Sequence, residues 1–143
     1  MHVPKILETD FGAGFMLLTD LGTTTYISVL GEKNARPLMR AAIDTLIRLQ
    51  QTAREGVLPL FDEAFLRREM ELMPEWFIGR HLGRKVSAEE RKTLDDTFAL
   101  LVQRAQAQPQ TFMLRDYMPR NLIICEPNPG VLDFQDAVRA DHV

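Results

Sequence analysis

Two short apolar runs near the end of this 143-residue chain are separated by a segment rich in turn-forming residues. The runs occupy residues 122–125 and 130–134, and a Glu-Pro-Asn-Pro segment at 126–129 joins them. Two prolines, an asparagine and a following glycine favour a turn over a continued strand, so the segment predicts a β-hairpin. A hairpin returns the chain on itself, so the end of its second strand lies beside the start of its first.

Three oxygen-bearing side chains flank the predicted hairpin. Asn121 precedes the first run, Asp133 lies at the end of the second, and Asp116 lies one loop earlier, after an apolar strand end at 111–114. Two carboxylates and an amide that converge suit a hard cation such as Mg²⁺. The alternative is that Asp116 and Asn121 only form turns and Asp133 only caps a strand. The presence of all three at this spacing favours the metal site.

The residues around these positions resemble a known family. Residues 115–121 read Arg-Asp-Tyr-Met-Pro-Arg-Asn, and residues 132–137 read Leu-Asp-Phe-Gln-Asp-Ala. An Asp with an Asn five residues later, followed by an Asp-Phe, is the catalytic and metal-binding pattern of kinase-like enzymes. The chain resembles the aminoglycoside phosphotransferase family. Within that family, residues 67–77 and the two motifs are most similar to the bacterial amino-sugar kinases of cell-wall recycling.

The resemblance implies a fold, cofactors and roles for particular residues. The fold would be α+β and protein-kinase-like, mostly the helical large lobe with the last strands of the small lobe. Asp116 would be the catalytic base, and Asn121 and Asp133 would bind Mg²⁺ beside ATP. Asp20 and Leu21 would belong to the hinge whose backbone receives the adenine. Relatives in this subgroup phosphorylate the anomeric hydroxyl of N-acetylmuramate or N-acetylglucosamine.

The same resemblance divides the chain into three parts. Residues 1–19 would end the small-lobe sheet, 20–34 would form the hinge and linker, and 35–143 would form a partial large lobe. One departure concerns Leu114, because the family usually has a histidine before the Arg-Asp pair. That histidine mainly supports the loop, so its replacement removes neither the base nor a metal ligand.

Two elements of a kinase-like enzyme are missing from the sequence. No glycine-rich phosphate loop is present, and none of the four lysines follows such a loop in a strand. Gly12-Ala13-Gly14 reads as a tight turn between the apolar runs 3–7 and 15–18. We therefore expect an internal fragment of a longer enzyme, weakly active or inactive alone and prone to self-association through apolar surfaces. A non-catalytic remnant or interaction module is the alternative.

Helical patterns occupy the middle of the chain. A first helix is expected from Asn34 or Ala35, a second after Asp62 until Pro74 ends or kinks it, and a third after a Ser87/Glu90 capping box. In the third helix we expect four apolar residues to be buried: Leu94, Phe98, Leu101 and Ala105. Four further side chains have two possible roles: Glu69, Glu71, Glu75 and Trp76. They either bind the phosphate acceptor, or the glutamates form a solvated helix face and Trp76 anchors the helix in the core.

Composition excludes several functions. A net charge of −3 without a basic stripe argues against a nucleic-acid partner, and no apolar run reaches the length of a membrane span. Cys125 is the single cysteine, which fits a reducing, cytoplasmic setting, and its apolar surroundings predict a buried thiol. The partner expected from the sequence is a small-molecule acceptor. The residues do not distinguish amino sugars from other acceptors served by the family.

Overall fold

The computed structural model describes residues 1–141, and it mixes helices and strands as the α+β prediction requires. A π-helix, Met73–His81, follows α3, and a 3₁₀ turn, Pro119–Asn121, precedes β4. The other elements are, in chain order, β1 (Ile6–Asp10), β2 (Phe15–Leu18), α1 (Tyr26–Val29), α2 (Ala35–Gln50), α3 (Glu63–Leu72), α4 (Ala88–Gln106), β3 (Gln110–Met113), β4 (Leu122–Ile123), β5 (Gly130–Val131) and β6 (Val138–Asp141).

The strands of the described residues form three two-stranded sheets. β1 pairs with β2 and β4 pairs with β5, both antiparallel, while β3 pairs with β6. The β4–β5 pair is the hairpin predicted from the Pro- and Asn-rich segment, although its strands are shorter than the apolar runs. None of the helices within residues 1–141 combines the length and apolar character that crossing a bilayer requires.

The β1–β2 hairpin turns at the Gly-Ala-Gly segment, as the sequence predicts. The Asp10 carboxylate accepts a hydrogen bond from the Ala13 amide at 3.0 Å, and Gly14 has a φ of 76°. A positive φ is readily adopted by glycine because it has no Cβ. The apolar side chains of the hairpin are largely exposed, with Phe11 in the turn at 82% and Phe15 in β2 at 73%.

The described residues form two compact units. The first contains residues 1–53 and 112–137, and its core surrounds the predicted hairpin. Pro37 lies in the first turn of α2, as expected, where a missing N–H breaks no helical bond. The buried residues of this core are Tyr26, Ala42, Leu114, Leu122 and Val131. The three-part division at residues 19 and 34 remains a prediction.

The second compact unit contains residues 54–111 and β6. Asp62 caps α3 by accepting a hydrogen bond from the Phe65 amide at 2.9 Å. The predicted capping box starts α4: Ser87 Oγ accepts from the Glu90 amide at 3.2 Å, and Glu90 Oε2 accepts from the Ser87 amide at 2.9 Å. These side chains satisfy amides that have no partner in the first helical turn, which is why both helices begin where the sequence indicates.

α3 ends at Leu72, just before Pro74, as expected, and the chain then continues as a π-helix with Pro74 in its first turn. Two local expectations need correction. In α4, Phe98 is buried as expected, but Leu101 is half exposed and Val102, four residues after Phe98, is buried in its place. Cys125 lies two residues beyond β4 and is only partly buried, with its Sγ 3.5 Å from His2 Nδ1.

Candidate functional site

The loop that carries Asp116 leaves the protein core at Leu114. Leu114 is 4% exposed and packs in the apolar core, so an apolar side chain supports the loop where the family resemblance leads us to expect histidine. The next residue, Arg115, has a φ of 65°, and the Asp116 amide bonds to the Leu114 carbonyl at 2.8 Å. This sharp turn leaves Asp116 exposed to solvent immediately after a buried anchor.

A tyrosine fixes the loop to α2. Tyr117 Oη donates a hydrogen bond to the Ala42 carbonyl at 2.8 Å, and its ring packs against the core. Burial raises the pKa of the Tyr117 hydroxyl to about 12. The side chain next to Asp116 is thus held at both its ring and its hydroxyl, which limits the positions that the Asp116 backbone can adopt.

Asn121 connects the loop to the hairpin. Its Nδ2 donates to the Asp116 carbonyl at 3.0 Å and to Asp133 Oδ2 at 3.2 Å. The Asn121 carbonyl also accepts a hydrogen bond from the Leu132 amide at 2.9 Å. No donor among the described residues contacts Asn121 Oδ1, so this oxygen is available to a ligand.

The hairpin explains why Asp133 reaches Asn121. Leu122 pairs with Val131 in the β4–β5 ladder, and both side chains are 1% exposed. This register places the residues just outside the ladder at the same open end. Asp133 has a φ of 56°, and its Oδ1 accepts a hydrogen bond from Gln135 Nε2 at 2.5 Å. The predicted convergence of Asn121 and Asp133 is therefore confirmed by the geometry.

The donor set at this end of the hairpin fits Mg²⁺. A free amide oxygen of Asn121 and the carboxylate of Asp133 are hard oxygen ligands, and Mg²⁺ is usually held by one or two protein ligands with water and phosphate completing its shell. The described residues contain no cluster of three or more His, Cys, Asp and Glu side chains able to hold a metal. A site made of Asn121 and Asp133 would leave the rest of the shell to water and phosphate.

The predicted hinge residues line a cleft of about 310 Å³ in the first compact unit. Asp20 Oδ1 accepts a hydrogen bond from the Gly22 amide at 2.7 Å, which shapes the turn that follows β2. Among residues 1–141, no hydrogen bond engages the backbone N–H or C=O of Leu21. The other residues lining the cleft are His2, Val3, Lys5, Thr19, Cys125 and Glu126.

Glu71 and Trp76, two of the candidate acceptor residues, have partners within the second unit. Arg91 donates to both oxygens of Glu71, at 2.6 and 2.8 Å, and this pairing lowers the pKa of the Glu71 carboxyl. Trp76 is half exposed, with the Arg80 guanidinium 3.9 Å from its ring centroid. Glu71 therefore joins α3 to α4, and the half-exposed Trp76 is not the core anchor of the second alternative.

Sequence reasoning identified the carboxylates but not the groups that hold them. Tyr117 and Gln135 lie inside the quoted motifs, yet neither was assigned a role. The signal for Gln135 is its position two residues after a candidate metal ligand, because an amide so close in sequence can reach that carboxylate. Nothing in the sequence indicates that Tyr117 reaches Ala42, since 75 residues separate the two.

A loop aspartate, an asparagine five residues later and an aspartate returned by a hairpin have the layout of kinase-like phosphotransferases. The chain belongs to the phosphotransferase enzyme family, whose sequence profile matches residues 1–143. The family has a protein-kinase-like fold, in agreement with the expected class.

The chain is also similar to individual curated proteins. The chain is 51% identical over 138 residues to the N-acetylmuramate/N-acetylglucosamine kinase of Pseudomonas aeruginosa and 49% identical over 138 residues to that of Pseudomonas putida. It is 40% identical over 142 residues to the protein of that name from Neisseria meningitidis. Each alignment covers 96% of this chain but 41–42% of the relative. The chain thus spans about two fifths of the length of the curated relatives it matches.

Proposed function

We propose that this chain carries the catalytic loop and the metal-binding hairpin of an ATP- and Mg²⁺-dependent kinase that phosphorylates a hydroxyl of an amino sugar. The observation that carries the proposal is the 3.2 Å contact between Asn121 and Asp133, with Asn121 Oδ1 left free. The names of the relatives support the acceptor class, and the resemblance adds the anomeric hydroxyl as the expected site of transfer.

In this proposal Asp116 is the catalytic base. Its exposed carboxylate accepts a hydrogen bond from the acceptor hydroxyl and orients that oxygen toward the γ-phosphorus of ATP. The bond from Asn121 Nδ2 to the Asp116 carbonyl fixes the loop from one side, and the bond from Tyr117 to Ala42 fixes it from the other. The catalytic carboxylate is thus held by contacts that do not use its own oxygens.

Asn121 and Asp133 would hold the cation, through Asn121 Oδ1 and the carboxylate of Asp133. Bound Mg²⁺ would neutralise charge on the ATP phosphates. The free backbone groups of Leu21 support adenine recognition at the hinge, because adenine offers both a donor and an acceptor along one edge. Asp20 would hold the hinge turn through its bond to the Gly22 amide.

Calorimetry with ATP tests the metal site in the chain as it stands. We expect binding that requires Mg²⁺ and is lost in Asp133→Ala. Asp96→Ala is the matched control, because it removes one exposed carboxylate of the same charge from α4. Binding that persists without Mg²⁺ and survives Asp133→Ala would refute the site. Absence of binding by the unaltered chain would instead favour the alternative, a non-catalytic interaction module.

The acceptor requires a test in a longer protein. We expect the chain alone to transfer phosphate slowly or not at all, because it has no glycine-rich loop and no phosphate-binding lysine. A chimaera that replaces the matching segment of the Pseudomonas aeruginosa relative with this chain supplies those parts. We expect it to phosphorylate N-acetylmuramate or N-acetylglucosamine, and Asp116→Asn to lower kcat by about 10²-fold or more. An Asp116→Asn chimaera with unchanged kcat would exclude the base role.

A further inference from the structure

The Asp133 carboxylate is held from two directions by amide groups. Gln135 Nε2 donates to Oδ1 at 2.5 Å, and Asn121 Nδ2 donates to Oδ2 at 3.2 Å. Asn121 reaches Asp133 across the open end of the hairpin, whereas Gln135 lies two residues further along the chain. Each oxygen therefore has its own donor, and the two donors come from different segments.

These bonds matter because Asp133 has few other constraints. Its side chain is exposed, so packing does not select a rotamer. Its φ of 56° lies in the left-handed region, which non-glycine residues adopt uncommonly and which persists where surrounding contacts enforce it. The bond from Gln135 acts on the side chain of this residue, and it closes a short turn around the strained backbone.

We propose that Gln135 is a positioning residue that orients Asp133 for a small cation, an inference that rests on the proposed Mg²⁺-dependent function. Gln135 on Oδ1 and Asn121 Nδ2 on Oδ2 together fix the plane of the Asp133 carboxylate. A ligand of fixed orientation suits Mg²⁺, which requires near-octahedral geometry and keeps several waters. The flexible shell of Ca²⁺, with six to eight ligands, depends less on the orientation of one carboxylate.

The experiment compares two cations in the same chain. ATP affinity is measured by calorimetry over a series of Mg²⁺ concentrations and a series of Ca²⁺ concentrations. The main variant is Gln135→Met, which keeps the side-chain length and removes the donor, and Gln135→Ala serves as a second variant. Gln103→Met is the matched control, because Gln103 is an exposed glutamine in α4. Circular dichroism checks that every variant is folded.

We expect Gln135→Met to raise the Mg²⁺ concentration needed for ATP binding by about 10-fold, the lower end of the usual effect of losing a partner of a metal ligand. The requirement for Ca²⁺ should change less, so the preference for Mg²⁺ over Ca²⁺ falls. Binding of ATP without metal should not change. Gln135→Ala should behave like Gln135→Met, and Gln103→Met like the unaltered chain.

The possible results separate this inference from the proposed function. An unaltered chain that binds ATP with Mg²⁺, together with a Gln135→Met variant of the same Mg²⁺ requirement, overturns the role of Gln135 alone. Equal losses for Mg²⁺ and Ca²⁺ also overturn it, because they indicate a general structural defect. An unaltered chain without Mg²⁺-dependent binding overturns the metal site and this inference together.

Discussion

Gly130 occupies a position in the hairpin that has no room for a side chain. A Cβ at this position would lie 2.7 Å from Cys125 Sγ and 2.9 Å from Leu21 Cδ1. Favourable contacts between carbon atoms lie at about 3.5–4.0 Å, so both distances are strongly repulsive. Leu21 Cδ1 is the end of a flexible side chain and can move, whereas Cys125 Sγ can move only by rotating about χ1, away from its contacts with His2 Nδ1 and the Ile123 carbonyl.

We therefore predict that Gly130→Ala lowers the free energy of unfolding by about 1–3 kcal/mol, the usual cost of inserting a methyl group into a packed site. For a chain of this size each kcal/mol lowers Tm by about 2–4 °C. Urea unfolding followed by circular dichroism measures the change. The positive-φ penalty that accompanies many glycine substitutions does not contribute, because Gly130 lies outside the left-handed region.

Two comparisons isolate the steric cause. Gly31→Ala is the matched control, because a Cβ there meets nothing within 4 Å and the backbone is not left-handed. It should be neutral or stabilising by about 0.4–1 kcal/mol. The double variant Cys125→Ala/Gly130→Ala removes the closest contact and should recover most of the loss. A Gly130→Ala variant that unfolds at the same urea concentration as Gly31→Ala would refute the steric clash. So would a double variant that recovers none of the stability lost in Gly130→Ala.

Two further predictions concern the tyrosine anchor and the exposed hairpin. Tyr117 has a pKa of about 12 in the folded chain against an ordinary value of 10.0, so its contribution to stability is complete below pH 10 and is lost as pH rises toward 12. Tyr117→Phe should lower the free energy of unfolding by about 1 kcal/mol at pH 7, and it should lose less stability than the unaltered chain between pH 10 and 12. Urea unfolding at several pH values measures both effects, and an equal loss in the two chains between pH 10 and 12 would contradict the prediction. The exposed β1–β2 hairpin should cause self-association, which sedimentation velocity detects as a rise in mass with concentration. The double variant Phe11→Ser/Phe15→Thr should reduce the association, whereas the control Leu101→Ser, at a half-exposed helical site, should not. Equal association of the unaltered chain and both variants would show that the hairpin is not the associating surface.

Local signals in the sequence predicted much of the fold. The hairpin around residues 126–129 and the start of α4 at Ser87 depend on side chains that act on backbone within a few residues, so the sequence is sufficient. The π-helix was not predicted, because a proline in the first turn of a new helical segment looks the same as one that ends a helix. β6 was not predicted either, because it pairs with β3 across a long separation in sequence.

In the candidate site too, contacts between residues close in sequence could be predicted and contacts between distant residues could not. The meeting of Asn121 and Asp133 follows from the hairpin alone and could be predicted. The hydrogen bond from Tyr117 to the Ala42 carbonyl depends on how the loop packs against α2, and no local sequence pattern predicts that packing. The two hydrogen bonds to Asp133, from Gln135 to one oxygen and from Asn121 to the other, depend on side-chain rotamers that only the folded backbone selects.

The candidate metal ligands and the proposed base all come from one contiguous stretch, residues 116–133. Bringing the ends of so short a segment together costs little chain entropy, and the entropy cost grows only with the logarithm of segment length. Closing this segment therefore brings Asn121 and Asp133 together without the help of distant parts of the chain. In native-state hydrogen exchange, the amides of Asn121 and Leu132, whose hydrogen-bond partners both lie within the segment, should then open together as a single cooperative block.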